Sequence, residues 1–169
     1  MRIFLAHGAS GSAASMQPFV NALAERGLKG HTIGLPVRRA EDAVRAYREQ
    51  LPDDLSGCVI GGHSYGGRVA SLLAADEQPA GLVLLSYPLH RPGRPEELRT
   101  EHWSRIRCPV LLISGEADQF ARVELLRSSV GLLAQSQLVT YPGVRHGVGG
   151  PRLGETADHI QAFAAGLRA

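Results

Sequence analysis

Apolar positions along this chain come in short bursts separated by longer amphipathic stretches. Six bursts of four or five residues occupy positions 3–6, 31–35, 58–61, 82–85, 110–113 and 138–141. Their β-branched content and their Gly and Pro borders predict strands. The third to fifth are almost continuously apolar, which is the pattern of strands covered on both faces. Between the bursts the period lengthens to that of a helix. Met16, Phe19, Val20, Leu23 and Gly27 share one face, as do Ala43, Val44, Tyr47 and Leu51 behind Glu41 and Asp42. Further helices are expected over positions 65–75 and 123–133, and a last one carries Ala157, Ile160, Phe163, Ala164 and Leu167. Strand and helix alternate throughout. The fold class expected is α/β: a three-layer α/β/α sandwich of about six mostly parallel strands in one domain spanning 1–169. Crossovers should be right-handed, and functional residues should sit just beyond the strand ends.

Composition narrows the class of function. Hydrophobic residues make up 44% of the 169 and charged residues 20%, which excludes wholesale disorder. Eighteen basic side chains face sixteen acidic ones, and aromatics are only 5%, so no nucleic-acid partner is expected. No apolar run approaches the ~18 residues of a bilayer span, and the apolar start is shorter than a secretory core, so a cytoplasmic protein without a membrane partner is expected. Cys58 and Cys108 belong near the starts of strands three and five, with one strand between them. At ~4.8 Å per strand their backbones would lie roughly 10 Å apart, beyond disulfide reach.

The third burst runs into Gly61-Gly62-His63-Ser64-Tyr65-Gly66-Gly67-Arg68. The motif Gly62-x-Ser64-x-Gly66 lies between a predicted strand and a predicted helix, the setting in which a sharp turn lifts a serine hydroxyl above the sheet. Glycine at 62 and 66 suits close packing around that turn, and the helix N-terminus would favour a developing oxyanion. A serine needs a base steadied by a third group. The fifth burst ends in Ser114-Gly115-Glu116-Ala117-Asp118, and the sixth in Pro142-Gly143-Val144-Arg145-His146-Gly147. Ser64 is therefore the expected nucleophile, His146 the general base and acid, and Asp118 the group orienting the imidazole, with Glu116 as the alternative acid. The oxyanion hole is expected from the N–H of Tyr65 and of Ala9 in the loop after the first strand, with Ser10 as second choice. His63 is expected to wall the site. The remaining histidines are not spaced as metal ligands, and neither a metal nor a cofactor is expected.

At this point the chain resembles the α/β-hydrolase superfamily, through Leu5-Ala6-His7-Gly8-Ala9, the segment from Gly61 to Ala70, Gly115-Glu116-Ala117-Asp118 and the late His146-Gly147. With Ser86-Tyr87-Pro88-Leu89-His90 and the following Arg- and Glu-rich stretch, it looks most like a short KAN-type, dienelactone-hydrolase-like subgroup. That resemblance implies a minimal α/β-hydrolase fold of six strands with no cap domain. Two departures stand out: true dienelactone hydrolases use a cysteine where this chain has Ser64, and many relatives carry an aspartate where it has Arg145. The segment 88–109 lies where larger relatives insert a lid. It is expected to shape a substrate pocket through Trp103 and Tyr87 together with Tyr65, or else to be a charged loop anchored by Trp103.

Three functions are weighed. The first is a serine hydrolase acting on a small-molecule ester or thioester, as a monomer or homodimer. The second is a catalytically inactive α/β-hydrolase-fold binding or assembly module. The third, a nucleotide-binding oxidoreductase, is disfavoured: the first loop lacks G-x-G-x-x-G, and Lys29 is the only lysine.

Overall fold

A computed structural model describes residues 1–167. Six strands form one sheet: β1 (Arg2–Ala6), β2 (Lys29–Ile33), β3 (Cys58–His63), β4 (Gly81–Leu85), β5 (Val110–Gly115) and β6 (Ser136–Tyr141). Their order is β2-β1-β3-β4-β5-β6, with every neighbouring pair parallel. Five helices join them: α1 (Gln17–Ala24), α2 (Ala40–Arg48), α3 (Tyr65–Asp76), α4 (Val123–Ser129) and α5 (Leu153–Gly166). This is a minimal α/β-hydrolase fold without a cap domain. Residues between β4 and β5 form a loop with a single 3-10 turn at Trp103–Arg105.

The two faces of the sheet are written in the period-2 alternation of its strands. Phe4, Ile60, Leu82, Leu84 and Leu112 point to one side, where Ala43 and Tyr47 of α2, Val69 and Leu73 of α3 and Leu126 of α4 cover them. Ile3, Leu5, Val59, Val83, Leu85 and Ile113 point to the other, under Phe19 and Leu23 of α1 and Ile160 and Phe163 of α5. Both faces of the central strands are buried, which explains their unbroken apolar sequence. The strand order reverses at β1, where the chain goes first to β2 on one side and then to β3 on the other. The crevice at such a reversal, beyond the strand ends, is where an open parallel sheet holds its ligands.

Element boundaries depart from expectation where tertiary contacts override periodicity. The second strand is Lys29–Ile33 rather than 31–35, in register Arg2↔Lys29 to Ala6↔Ile33 along β1. The chain leaves the ladder after Ile33, and the Leu35 N–H is donated to His7 Nε2 at 3.0 Å instead of to a strand. The first helix starts as a 3-10 turn, Ala13–Met16, because Pro18 occupies the opening turn of α1. The fourth ends at Ser129 and continues only as a 3-10 turn, Val130–Leu132. Cys58 and Cys108 are buried free thiols; Cys58 opens β3, Cys108 lies just before β5, and β4 runs between those two strands. Among the described residues no helix is long and apolar enough to cross a membrane.

One buried hydroxyl ties α2 to the sheet. The fully buried Tyr47 O–H lies 2.7 Å from the Gly61 carbonyl and 3.0 Å from that of Phe4, and its oxygen accepts the Gly61 N–H at 3.0 Å. Tyr47→Phe removes all three of these hydroxyl contacts from a dry interior. Unfolding free energy from urea titration should fall by roughly 1–3 kcal/mol.

Burial holds His102 far below the ordinary imidazole value, at about 4, despite the opposing pull of Glu101. Its Nε2 donates to Ser71 Oγ at 2.8 Å, since that hydroxyl already donates to the Arg68 carbonyl at 2.7 Å. Below about pH 6.5 the unfolded chain protonates this group while the folded one does not, so stability rises with pH there. The contribution is complete above the unfolded value and is lost as pH falls toward 4. It amounts to on the order of 2 kcal/mol between about pH 7 and 4.5. His102→Gln, which keeps a donor and cannot titrate, should flatten the pH dependence of unfolding by that amount.

Candidate active site

Ser64 is set by a backbone that most residues avoid. At the junction of β3 and α3 it has φ 49° and ψ −114°, a left-handed excursion without glycine. Such strain persists only where neighbours over-determine it, at about 1–3 kcal/mol. Here the neighbour is β1. A Cβ at Gly62 would come within 2.5 Å of the Ala6 carbonyl oxygen, and one at Gly66 within 2.5 Å of that atom and 2.6 Å of the His7 carbonyl oxygen. The two glycines thus let the elbow lie directly on the end of β1. The Ser64 N–H is taken up by Leu85 O at 2.8 Å, which fixes the turn against β4.

His146 and Asp118 arrive just beyond the ends of β6 and β5. Ala117 N–H donates to Val144 O at 2.9 Å, stitching the two loops together. A side chain at Gly115 would strike the Val144 and Arg145 carbonyls, so that glycine permits the approach. In consequence His146 Nε2 stands 2.8 Å from Ser64 Oγ and its Nδ1 2.7 Å from Asp118 Oδ2. Asp118 is buried, and its other oxygen accepts the Phe120 N–H at 2.8 Å. A carboxylate accepting from Nδ1–H leaves Nε2 free to take the serine proton. Glu116, the alternative acid, is occupied elsewhere: it pairs with Arg127 at 3.0 Å and accepts from Thr140 at 2.7 Å. The imidazole packs against Phe120, with ring centroids 4.3 Å apart, and against His63 at 5.4 Å. Burial, and then the proximity of His146, push His63 down to about 4, so it is a neutral wall at neutral pH.

The loop after β1 closes as a turn, with the Gly11 N–H donating to Gly8 O at 3.0 Å. Ala9 and Ser10 are its central residues, and among the described residues neither donates its N–H to protein. His7 latches this loop: its Nδ1 lies 2.7 Å from Gly8 O while Nε2 accepts from Leu35. The Tyr65 N–H, first in α3, has no carbonyl within its own helix to bind.

A cavity of about 790 Å³ opens over Ser64. Gly8, Ala9, Ser10, His63, Tyr65 and His146 line it, together with Met16, Pro18, Phe19 and Leu153 on one side and Arg68, Pro88 and Arg99 on the other. Two expected wall residues are absent from it, which corrects the picture from sequence. Tyr87 and Trp103 are 1% and 0% exposed and pack ring to ring in the core at 5.1 Å. The burial gained by two large rings outweighs their use as a surface, and the Tyr87 hydroxyl, at 2.6 Å, donates to the Arg99 carbonyl rather than facing the cavity. They anchor the 88–109 segment, and only its Pro88 and Arg99 reach the site. Arg68 went unassigned from the sequence, although its place one helical turn after Ser64 was a usable signal. A second serine–histidine contact, Ser71 with His102, is sealed in the interior, at 0% and 2% exposure.

The chain belongs to the alpha/beta hydrolase domain family, whose model matches residues 1–165. Solved structures share the fold at low sequence identity. A monoacylglycerol lipase of Paleococcus ferrophilus superposes with a TM-score of 0.81 at 16% identity, covering 98% of this chain and 94% of that one. Est1E of Butyrivibrio proteoclasticus, solved with ferulic acid, gives 0.76 at 19% identity over 98% and 88%. A membrane phospholipase A described as a bacterial virulence factor gives 0.76 at 17% over 99% and 79%. These likenesses show a shared fold.

Gly66→Ala should expose how tightly the elbow is clamped. The added methyl meets backbone that cannot yield, so stability should fall by about 1–3 kcal/mol. Gly131→Ala, whose methyl meets nothing within 4 Å, should stay within about 0.5 kcal/mol of the parent in the same urea titration.

Proposed function

We propose that this protein is a serine hydrolase that cleaves a small carboxylic ester or thioester through an acyl-enzyme. The observation that supports it most is the continuous hydrogen-bonded chain from Ser64 through His146 to Asp118, open to a cavity. The repeated glycine motif around Ser64 and the Ser86–His90 segment support placement in the short dienelactone-hydrolase-like subgroup.

In this mechanism Ser64 Oγ attacks the substrate carbonyl carbon while its proton passes to His146 Nε2. Asp118 holds the other ring nitrogen and stabilises the imidazolium that forms. The carbonyl π electrons move onto oxygen, which accepts hydrogen bonds from the N–H groups of Tyr65 and Ala9, each worth about 2.7–4 kcal/mol in the barrier. The tetrahedral intermediate collapses, the bond to the alcohol or thiol breaks, and His146 returns the proton to the leaving group. Water then enters, gives a proton to His146, and attacks the acyl carbon. The acid departs as Ser64 recovers its proton. His63, neutral beside His146, adds no competing positive charge.

Ser64→Ala should abolish both turnover of short p-nitrophenyl esters and labelling by a fluorophosphonate probe. Asp118→Asn should lower kcat by about ten-thousandfold while leaving the fold intact, because the amide favours the wrong imidazole tautomer. Continued labelling of the Ser64→Ala protein would move the nucleophile elsewhere. A wild-type protein that neither labels nor turns over any activated ester would favour the binding-module function.

A further inference from the structure

The cavity over Ser64 draws its walls from opposite layers of the sandwich, and the two layers bring different chemistry. Met16, Pro18, Phe19 and Leu153 come from the α1 and α5 side and present carbon. Arg68 comes from α3, on the other side, and Arg99 from the segment joining β4 to β5. Ser64 and His146 line the same cavity at the sheet edge between these layers. Among the described residues, no carboxylate lines the cavity.

The two guanidiniums are only partly satisfied. Arg68 is 13% exposed; its Nη2 lies 2.7 Å from Glu41 and 3.5 Å from Glu101, both outside the cavity. Its Nη1 is buried without a partner. Arg99 makes no ion pair among the described residues, and the hydrogen bond from its side chain is a long one, 3.4 Å from Nη1 to the Pro88 carbonyl. Burial, then the charges of Arg68 and Arg91, draw Arg99 below the ordinary guanidinium value. A partly dried guanidinium beside a second cation, with donors idle, is unfavourable until an anion completes it. The planar fork of N–H groups suits the oxygens of a carboxylate or a phosphate.

We propose that this cavity selects substrates with an anionic oxyacid group, carboxylate or phosphate, on one limb and an apolar chain on the other, and that Arg68 and Arg99 bind the anion. The proposal rests on the serine-hydrolase function and names its substrate class. The reacting carbonyl sits at Ser64 Oγ between the two limbs, the apolar one lying along Met16, Phe19 and Leu153. The charge of Arg99, which has no ion pair among the described residues, also favours anionic substrate at the mouth.

Matched esters test this, each charged ester set against a neutral twin. Monohexyl glutarate is paired with hexyl butanoate; 4-(hexanoyloxy)benzoate and 4-(hexanoyloxy)phenyl phosphate are each paired with phenyl hexanoate. Binding is measured by calorimetry on the Ser64→Ala protein, so the result does not depend on turnover. At least one charged ester should bind about ten- to hundredfold more tightly than its twin, the worth of one charge-assisted hydrogen bond. The advantage should shrink as salt rises, fall by most of its size when Arg99→Gln is added, and be partly kept by Arg99→Lys. A lead by a benzoate or glutarate ester assigns a carboxylate, and a lead by the phosphate alone assigns a phosphate; both support the proposal. Equal binding of charged and neutral twins, or a preference that Arg99→Gln leaves intact, would overturn it. Turnover of the same esters by the wild-type protein is scored separately. Tighter binding of the charged esters without any turnover would sustain the anion site and reject the hydrolase.

Discussion

Everything at this site depends on one strained residue being held down by close packing. Ser64 sits at positive φ because α3 begins directly over the end of β1, and it does so because two glycines leave room for the Ala6 and His7 carbonyls. The same contact raises the hydroxyl above the sheet edge and frees the Tyr65 N–H. Strain alone does not make a site. Ser86, at the end of β4, has the same φ of 49°, yet it is fully buried and its hydroxyl has no partner among the described residues. The difference lies in what reaches each serine. An imidazole and a cavity meet Ser64, whereas among the described residues Ser86 neither hydrogen-bonds an imidazole nor lines that cavity.

Imidazole serves three structural purposes around this edge. His7 and His90 act as backbone latches, each with Nδ1 against a nearby carbonyl and Nε2 accepting a distant N–H, from Leu35 and Arg122 respectively. The first fixes the loop of Ala9, and the second fixes the loop after β4 to the one that follows Asp118. His63 is a neutral wall. Of these four rings, His146 is the one hydrogen-bonded through one nitrogen to a carboxylate and through the other to a hydroxyl. Each role follows from which backbone or side-chain groups the ring meets, since the free side chain is the same in all four.

The segment between β4 and β5 shows how a loop is made rigid enough to contribute to a site. Trp103 and Tyr87 bury their rings beneath it, and the Tyr87 hydroxyl grips the Arg99 carbonyl. Apolar burial thus fixes the backbone from which the Arg99 side chain reaches the cavity. The charged residues of this segment look like a solvated surface until that anchoring is known.

Much of this was legible along the chain. Short apolar bursts and the 3.6-residue period indicated the presence of each strand and helix, though not every boundary, because burial leaves its mark at short range. The elbow announced itself through Gly62, Ser64 and Gly66 between strand and helix, and Asp118 and His146 through their positions just past strand ends. What the chain did not disclose was set by contacts between distant segments. The shift of β2 to Lys29 came from its register on β1 and from the Leu35 N–H turning to His7. The burial of Tyr87 and Trp103 and the cavity-facing place of Arg68 and Arg99 came from how the β4–β5 segment packs on α3. Local spacing records which residues can share a face. Which of them meets solvent, core or cavity is decided only when separate elements compete for the same buried space.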